Sequence, residues 1–394
     1  MTTAIVEPRV IRDQFARQEN PPQREYYIDH LRTVLTMQVI VFHCAITYGS
    51  VGGWFYFEVK HSEALSSQIL SLFVLTSQAY FMGFFFLLAG YFTPPSLERK
   101  GYARFIADRL LRLGLPLLAF CIFLGPLTIA MAQTAQGRDF WQTMLSVWKG
   151  MYFVNGPLWF TQALLMFSVA YCVYRWLTRT PLNQARRDSS SVPRSVWWLA
   201  SAVVVGAVAV LFRVRYPVGK NALGLQIGFF SSYIFLFAVG VAAWRHDWLR
   251  QLTWARARWW ILSLPFLWVL MPIHLSLDRT PDTWSAVSFA KGMPWAAIFW
   301  AVWEPFVAWG FIAAFLLAFR KYTNVKTPMW LWLDRRAYAA YIIHPVLLVG
   351  AALLLRSWAA LPMIKWACTG SIAVAACWLV ADPLVRVPGL RRIL

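Results

Sequence analysis

Acidic residues are scarce in this chain of 394 residues: 17 Asp and Glu stand against 37 Lys and Arg, a net charge of +20. Charged residues together make up 14% of the chain, whereas a soluble domain carries about a quarter. That shortage excludes an ordinary soluble enzyme. The five cysteines lie in or beside apolar segments with no metal or disulfide spacing, which excludes a disulfide scaffold and a zinc site. No GxxxxGK followed by Ser or Thr, no HExxH, no CxxC and no GxSxG occurs. P-loop, zinc-protease, thioredoxin-like and serine-hydrolase chemistries therefore have no support, and no bound metal is expected. No internal repeat is visible, which argues against an inverted-repeat transporter. No cleavable signal is apparent, because the first apolar run is long enough to stay as a span.

What is abundant is apolar. Hydrophobic residues make up 59% of the chain and the mean hydropathy is +0.52. The 23 Trp suit interfacial belts and a wide intramembrane cavity. Apolar segments run at 31–49, 69–92, 110–132, 157–177, 196–212, 223–244, 259–276, 295–319, 337–355 and 364–382. Several reach the roughly 20 residues that cross a bilayer. The expected fold is all-α, a polytopic integral membrane bundle of about ten transmembrane helices without a soluble domain. A cytoplasmic segment at 1–30 would precede a transmembrane domain at 31–385 and a short basic cytoplasmic tail at 386–394.

The basic residues orient this bundle. With ten spans, 26 Lys and Arg fall in the termini and even loops and 10 in the odd loops, with Arg32 inside the first span. The bias predicts a multi-pass protein of the cytoplasmic (inner) membrane with both termini inside. Basic residues in alternate loops form no single stripe, so nucleic acid is not an expected partner. The loop with Arg213, Arg215 and Lys220 is basic yet falls outside. Residues 180–195 read as a polar cytoplasmic loop, and 138–156 as an aromatic interfacial helix on the outer face.

A few polar residues interrupt the apolar runs. Arg32 and His43 stand eleven residues apart in the first span. At 100° per residue this is three turns plus about 20°, so they share a face and lie about 16 Å apart along the axis. An arginine near the start of a span reaches the interface. A histidine three turns deeper does not, and ionisable groups at that depth point to function. Asp29 is three residues before Arg32 and can pair with it to fix its orientation. Arg109 and Arg112 repeat the spacing at the start of the third span, and two guanidinium groups on one face suit a phosphate-bearing ligand. Glu304, next to Pro305, is the carboxylate deep in a span. Beside a purely structural role, three others fit it: orienting His43, pairing with Arg32, or binding hydroxyls of a substrate. His344 lies near Tyr338 and Tyr341 on one face of the ninth span and is a second candidate for substrate contact. Asn155, Trp159, Gln162 and Gln78 stand at span mouths. Trp159 is the strongest sugar-binding candidate, because an indole stacks on a pyranose face.

The run REYYIDHLRTVLTMQVIVFH (24–43) resembles the opening of acyltransferase family 3, integral membrane acyltransferases whose signature is an Arg, ten residues and a His in the first helix. FFFLLAGYFTPP (84–95), RLLRLGLPL (109–117), GPLWFTQALL (156–165) and YAAYIIHP (338–345) resemble further family segments in the same order, so the likeness covers almost the whole chain. It looks closest to the branch that succinylates periplasmic glucans. The resemblance implies an acyl-coenzyme A donor at Arg109 and Arg112 and a hydroxyl acceptor, with no bound cofactor. Transfer from a thioester to a hydroxyl needs a base near neutrality, the role open to His43 about mid-bilayer. An acyl-imidazole intermediate is a second route through the same residue. The acceptor would be an extracytoplasmic glycan or a small molecule, with Glu304, Trp159, His344 and Tyr341 as acceptor or supporting candidates. A proton-coupled transporter or exporter of a small amphipathic molecule is the alternative from another class.

Overall fold

The structure is a computed structural model and describes residues 25–179, 190–277 and 295–394. Most of the 1–30 segment, residues 180–189 of the polar loop, and Arg279 and Lys291 lie outside the described residues. In a bilayer no water is available for backbone groups, so apolar runs fold as helices that bond those groups internally. In chain order the first are α1 (Tyr26–Thr47), α2 (Leu65–Lys100), α3 (Tyr102–Thr134), α4 (Phe140–Lys149) and α5 (Gly156–Leu177). Next come α6 (Ser195–Arg215), α7 (Ile227–His246), α8 (Trp254–Leu262), α9 (Leu264–Leu277) and α10 (Trp295–Tyr322). The chain closes with α11 (Pro328–Asp334), α12 (Ala337–Leu354) and α13 (Pro362–Arg386).

Among the described residues, nine helices are long and apolar enough to cross a membrane, and each overlaps one expected span. The remaining span, expected at 259–276, is two shorter helices, α8 and α9, broken at Ser263. The protein is an all-α polytopic membrane bundle. The segment expected to be an interfacial helix contains α4, started by the Asp139 carboxylate, which accepts from Gln142 N at 2.7 Å.

Glycine sets a close helix crossing. A Cβ on Gly90 of α2 would lie 2.2 Å from the Phe237 carbonyl oxygen of α7, and one on Gly240 of α7 would lie 2.1 Å from that of Leu87. Helices in lipid associate through such small-residue contacts, because burial from water does not drive them together. Gly240→Val should therefore separate α2 from α7 and lower stability by about 1–3 kcal/mol, the usual range for overpacking. Thermal unfolding in detergent reads this directly. An unchanged midpoint would mean the crossing relaxes freely.

Prolines shape α3 near the polar residues. In α3, π-type turns at Leu110–Gly114 and Phe120–Leu124 are followed by Pro116 and Pro126. Pro116 has no amide hydrogen to offer the Arg112 carbonyl, and Tyr338 Oη donates to it instead at 2.5 Å. The 48–64 segment folds back over the end of α1. Glu58 and Val59 amides donate to Thr47 O at 2.9 and 3.1 Å, and Val51 N donates to Ser71 Oγ at 3.1 Å. Lys365 of α13 pairs with Glu58 below this cover.

Candidate functional site

His43 stands four residues before the end of α1 at Thr47, not in the middle of the helix. The 48–64 segment folds over it. Trp54, carried by that cover, stacks on the imidazole with ring centres 3.9 Å apart and planes 20° apart. His43 also lines a cavity of about 830 Å³. Aromatic walls come from Trp54, Trp159, Phe229, Tyr233, Trp300 and Tyr341, and amide groups from Gln78, Asn155, Asn221 and Gln226. Among the described residues no Asp, Glu, Lys or Arg lines it. Such a surface matches a neutral, hydroxylated molecule: ring faces for stacking, amides for hydroxyl groups, and one imidazole.

The structure brings His344 to His43, although 301 residues separate them. His344 Nε2 lies 3.3 Å from His43 Nδ1, and His344 Nδ1 lies 2.6 Å from the Tyr341 carbonyl oxygen. His344 is fully buried and is absent from the cavity wall. It touches the histidine rather than the space a substrate would fill, which differs from the substrate contact expected of it. Tyr341 does line the cavity, and its hydroxyl donates to the Pro157 carbonyl. Trp159 also lines it, stacked on Tyr233 at 5.4 Å.

At the other end of α1 three arginines converge. Arg109 is within electrostatic reach of Arg112 and Arg32, and the Tyr338 hydroxyl feels all three. Arg32 pairs with Asp29 at 3.9 Å, and Arg112 with Asp108 at 3.3 Å. Both arginine side chains stay about half exposed, at 51% and 52%. The Arg109 guanidinium lies over the Phe105 ring at 4.9 Å, and its buried Nε has no hydrogen-bond partner. The two pairs expected from spacing in separate helices thus form one cationic cluster.

Glu304 takes none of the three expected roles as a direct contact. Its carboxylate pairs with Arg213, which also donates to Gly228 O at 3.2 Å and lies over the Trp300 ring at 4.7 Å. Arg213 is 1% exposed and inside α6, so it is not a loop charge. An arginine and a carboxylate buried in facing helices neutralise each other, and that removes Glu304 from both His43 and Arg32. Asn155 lines the cavity but is committed to Gln162 at 2.9 Å and to Gly224 O at 3.1 Å. Gln162 is not in the wall. Gln78 is, and it donates to Tyr233 Oη at 3.0 Å.

Sequence reading missed three features. Trp54 follows a glycine pair after the first span, a turn signal that gives no hint of return to His43. The His344–Pro345 dipeptide is a local signal for an unusual carbonyl partner. His30 is buried near the start of α1, with Nδ1 2.8 Å from Asp334 and Nε2 3.0 Å from Val325 O. Burial pushes the Asp334 carboxyl above its ordinary value, while Thr33 and His30 oppose the shift. This cluster fastens α11 to α1. Among the described residues no group of His, Cys, Asp and Glu is placed to hold a metal ion.

Comparison with known proteins bears on this arrangement. Glucans biosynthesis protein C of Salmonella paratyphi B is 25% identical over 238 residues, 57% of this chain and 60% of that protein. The proteins of that name from Salmonella heidelberg and Salmonella agona are 26% identical over the same shares. The chain thus spans about 60% of the length of the curated relatives it matches. No solved structure matches. A family model described as an acyltransferase domain matches residues 25–382, which holds the cationic cluster, both histidines and the cavity wall. The chain belongs to acyltransferase family 3, the integral membrane acyltransferases.

Proposed function

We propose that this protein is a membrane O-acyltransferase. It takes an acyl group of acetyl or succinyl type from acyl-coenzyme A on the cytoplasmic side and moves it to a hydroxyl of an extracytoplasmic glycan. The observation that carries this reading is the position of His43 on the wall of a neutral aromatic and amide-lined cavity, near one end of α1, with the cationic cluster of Arg32, Arg109 and Arg112 at the other end. Arginines suit the phosphates of coenzyme A, and the cavity chemistry suits a sugar. The name of the relatives, which links them to glucan biosynthesis, supports a glucan as acceptor. In this reading His43 removes the hydroxyl proton as the acceptor oxygen attacks the thioester carbon. The carbon–sulfur bond breaks, and the proton leaves on the coenzyme A thiol.

The test is direct. Purified protein in detergent is given labelled acetyl- or succinyl-coenzyme A with a glucan oligosaccharide. Ester-linked label on the glucan and one free thiol per transfer are expected. A transporter would leave the thioester intact, and no consumption above the protein-free rate would end the acyltransferase reading. Label on a small hydroxyl compound but not on glucan would keep the chemistry and change the acceptor.

Orientation has its own prediction. The charge bias supports both termini and the 180–195 loop in the cytoplasm. A cysteine placed at Ser190, with native cysteines removed, should resist a membrane-impermeant thiol reagent in intact cells. Ready labelling would reverse the orientation and move the donor cluster to the wrong side.

A further inference from the structure

We infer that His344 and Pro345 together lock the tautomer of His43 and so decide which of its nitrogens is the base. This rests on the reading of His43 as the general base. In a regular helix the amide of residue 345 would donate to the Tyr341 carbonyl. Pro345 has no amide hydrogen, so that carbonyl needs another donor within an apolar bundle. His344 supplies it, with Nδ1 at 2.6 Å. A carbonyl oxygen only accepts, so Nδ1 carries the hydrogen and the neutral ring keeps its lone pair on Nε2. That lone pair faces His43 Nδ1 at 3.3 Å. His43 Nδ1 is therefore the donor, and its Nε2 keeps the lone pair needed to take a proton.

His344 is fully buried and does not line the cavity, so it acts through His43 and is a positioning residue. It also assists in the reaction. When the acceptor hydroxyl gives its proton to His43 Nε2, the ring becomes an imidazolium and its Nδ1–H bond to His344 becomes charge-assisted. The proton then leaves with the thiolate, and the neutral pair is restored. A neutral imidazole orients its partner without placing a permanent anion beside the cavity, where desolvation would be costly.

The test is a panel assayed for kcat and for both KM values: His344→Leu, His344→Gln, Pro345→Ala, the double variant His344→Leu/Pro345→Ala, and His43→Gln as reference. His344→Leu should lower kcat about 10–100-fold, the range seen when partners that orient metal-bound imidazoles are lost, with both KM values within about twofold. His344→Gln should keep more activity, because its amide oxygen still accepts from His43. Pro345→Ala returns a backbone donor to the Tyr341 carbonyl and releases His344 Nδ1. It should lower kcat several-fold alone and add nothing in the His344→Leu background.

A His344→Leu kcat within about twofold of wild type, far from the loss expected for an orienting partner, overturns the inference. So does a Pro345→Ala loss that persists undiminished in the His344→Leu background, as a purely structural proline would give. If His344→Leu fails to insert, the other single variants decide, and wild-type kcat in both overturns it. An active His43→Gln enzyme removes the general base and the inference together. An inactive His43→Gln with fully active His344 variants removes the inference alone.

Discussion

His43→Gln should abolish acyl transfer while expression and detergent stability stay near wild type. A base that removes a proton from a sugar hydroxyl contributes roughly 10²–10⁴-fold to the rate. Gln keeps a side chain that can donate a hydrogen bond to His344 Nε2 and fits beside Trp54, so the local packing has a substitute. It has no useful basicity, so the chemical step does not. His43→Ala should lose activity too, but it also removes the surface on which Trp54 stacks. The Gln variant therefore separates a catalytic histidine from a packed one. In the wild-type enzyme the rate should rise with pH while the imidazole loses its proton, because only the neutral ring accepts another. A His43→Gln enzyme with near-normal turnover would return His43 to a packing role.

Replacing Arg109 and Arg112 together with Ala should raise the KM for acyl-coenzyme A on the order of 100-fold or more, since each charge-assisted contact is worth about 1.5–3 kcal/mol. The KM for the glycan should change little, because neither arginine lines the cavity. Arg112 is half exposed beside Asp108, and Arg109 keeps an unpartnered Nε. Both therefore have capacity for a phosphate without losing a buried partner. Arg32 joins them in the structure, so Arg32→Ala should act on the same kinetic parameter. Lys replacements should recover only part, because an ammonium lacks the planar fork that holds phosphate. Unchanged KM with both residues gone would assign them to membrane orientation alone.

Much of this protein was legible in one dimension. The positions of nine of the ten expected spans follow from the roughly 20-residue length that a bilayer imposes. A helix bonds its own backbone, so each span is decided locally. The alignment of Arg32 with His43, and the pairing of Asp29 with Arg32, follow from helix period alone. The break at Ser263 has a local signal in Pro265, which has no amide to offer the Ile261 carbonyl, but the length and apolar character of the 259–276 run outweigh it and read as one span.

The partners were a different matter. Glu304 pairs with Arg213 across 91 residues, and His43 meets His344 across 301. Arg32 lies near two arginines of another helix, and Trp54 returns to a ring eleven positions before it. In a soluble protein an apolar stripe tells which helix face turns inward. A membrane helix is apolar all round, so that cue is lost. Which faces meet is decided by close crossings such as Gly90 and Gly240, and by buried polar pairs. The sequence by itself thus determined the helices, the ionisable residues within them and the family. Only the tertiary structure decided which of those residues touch, because contact between helices in lipid depends on shape and hydrogen bonding rather than on hydrophobic period.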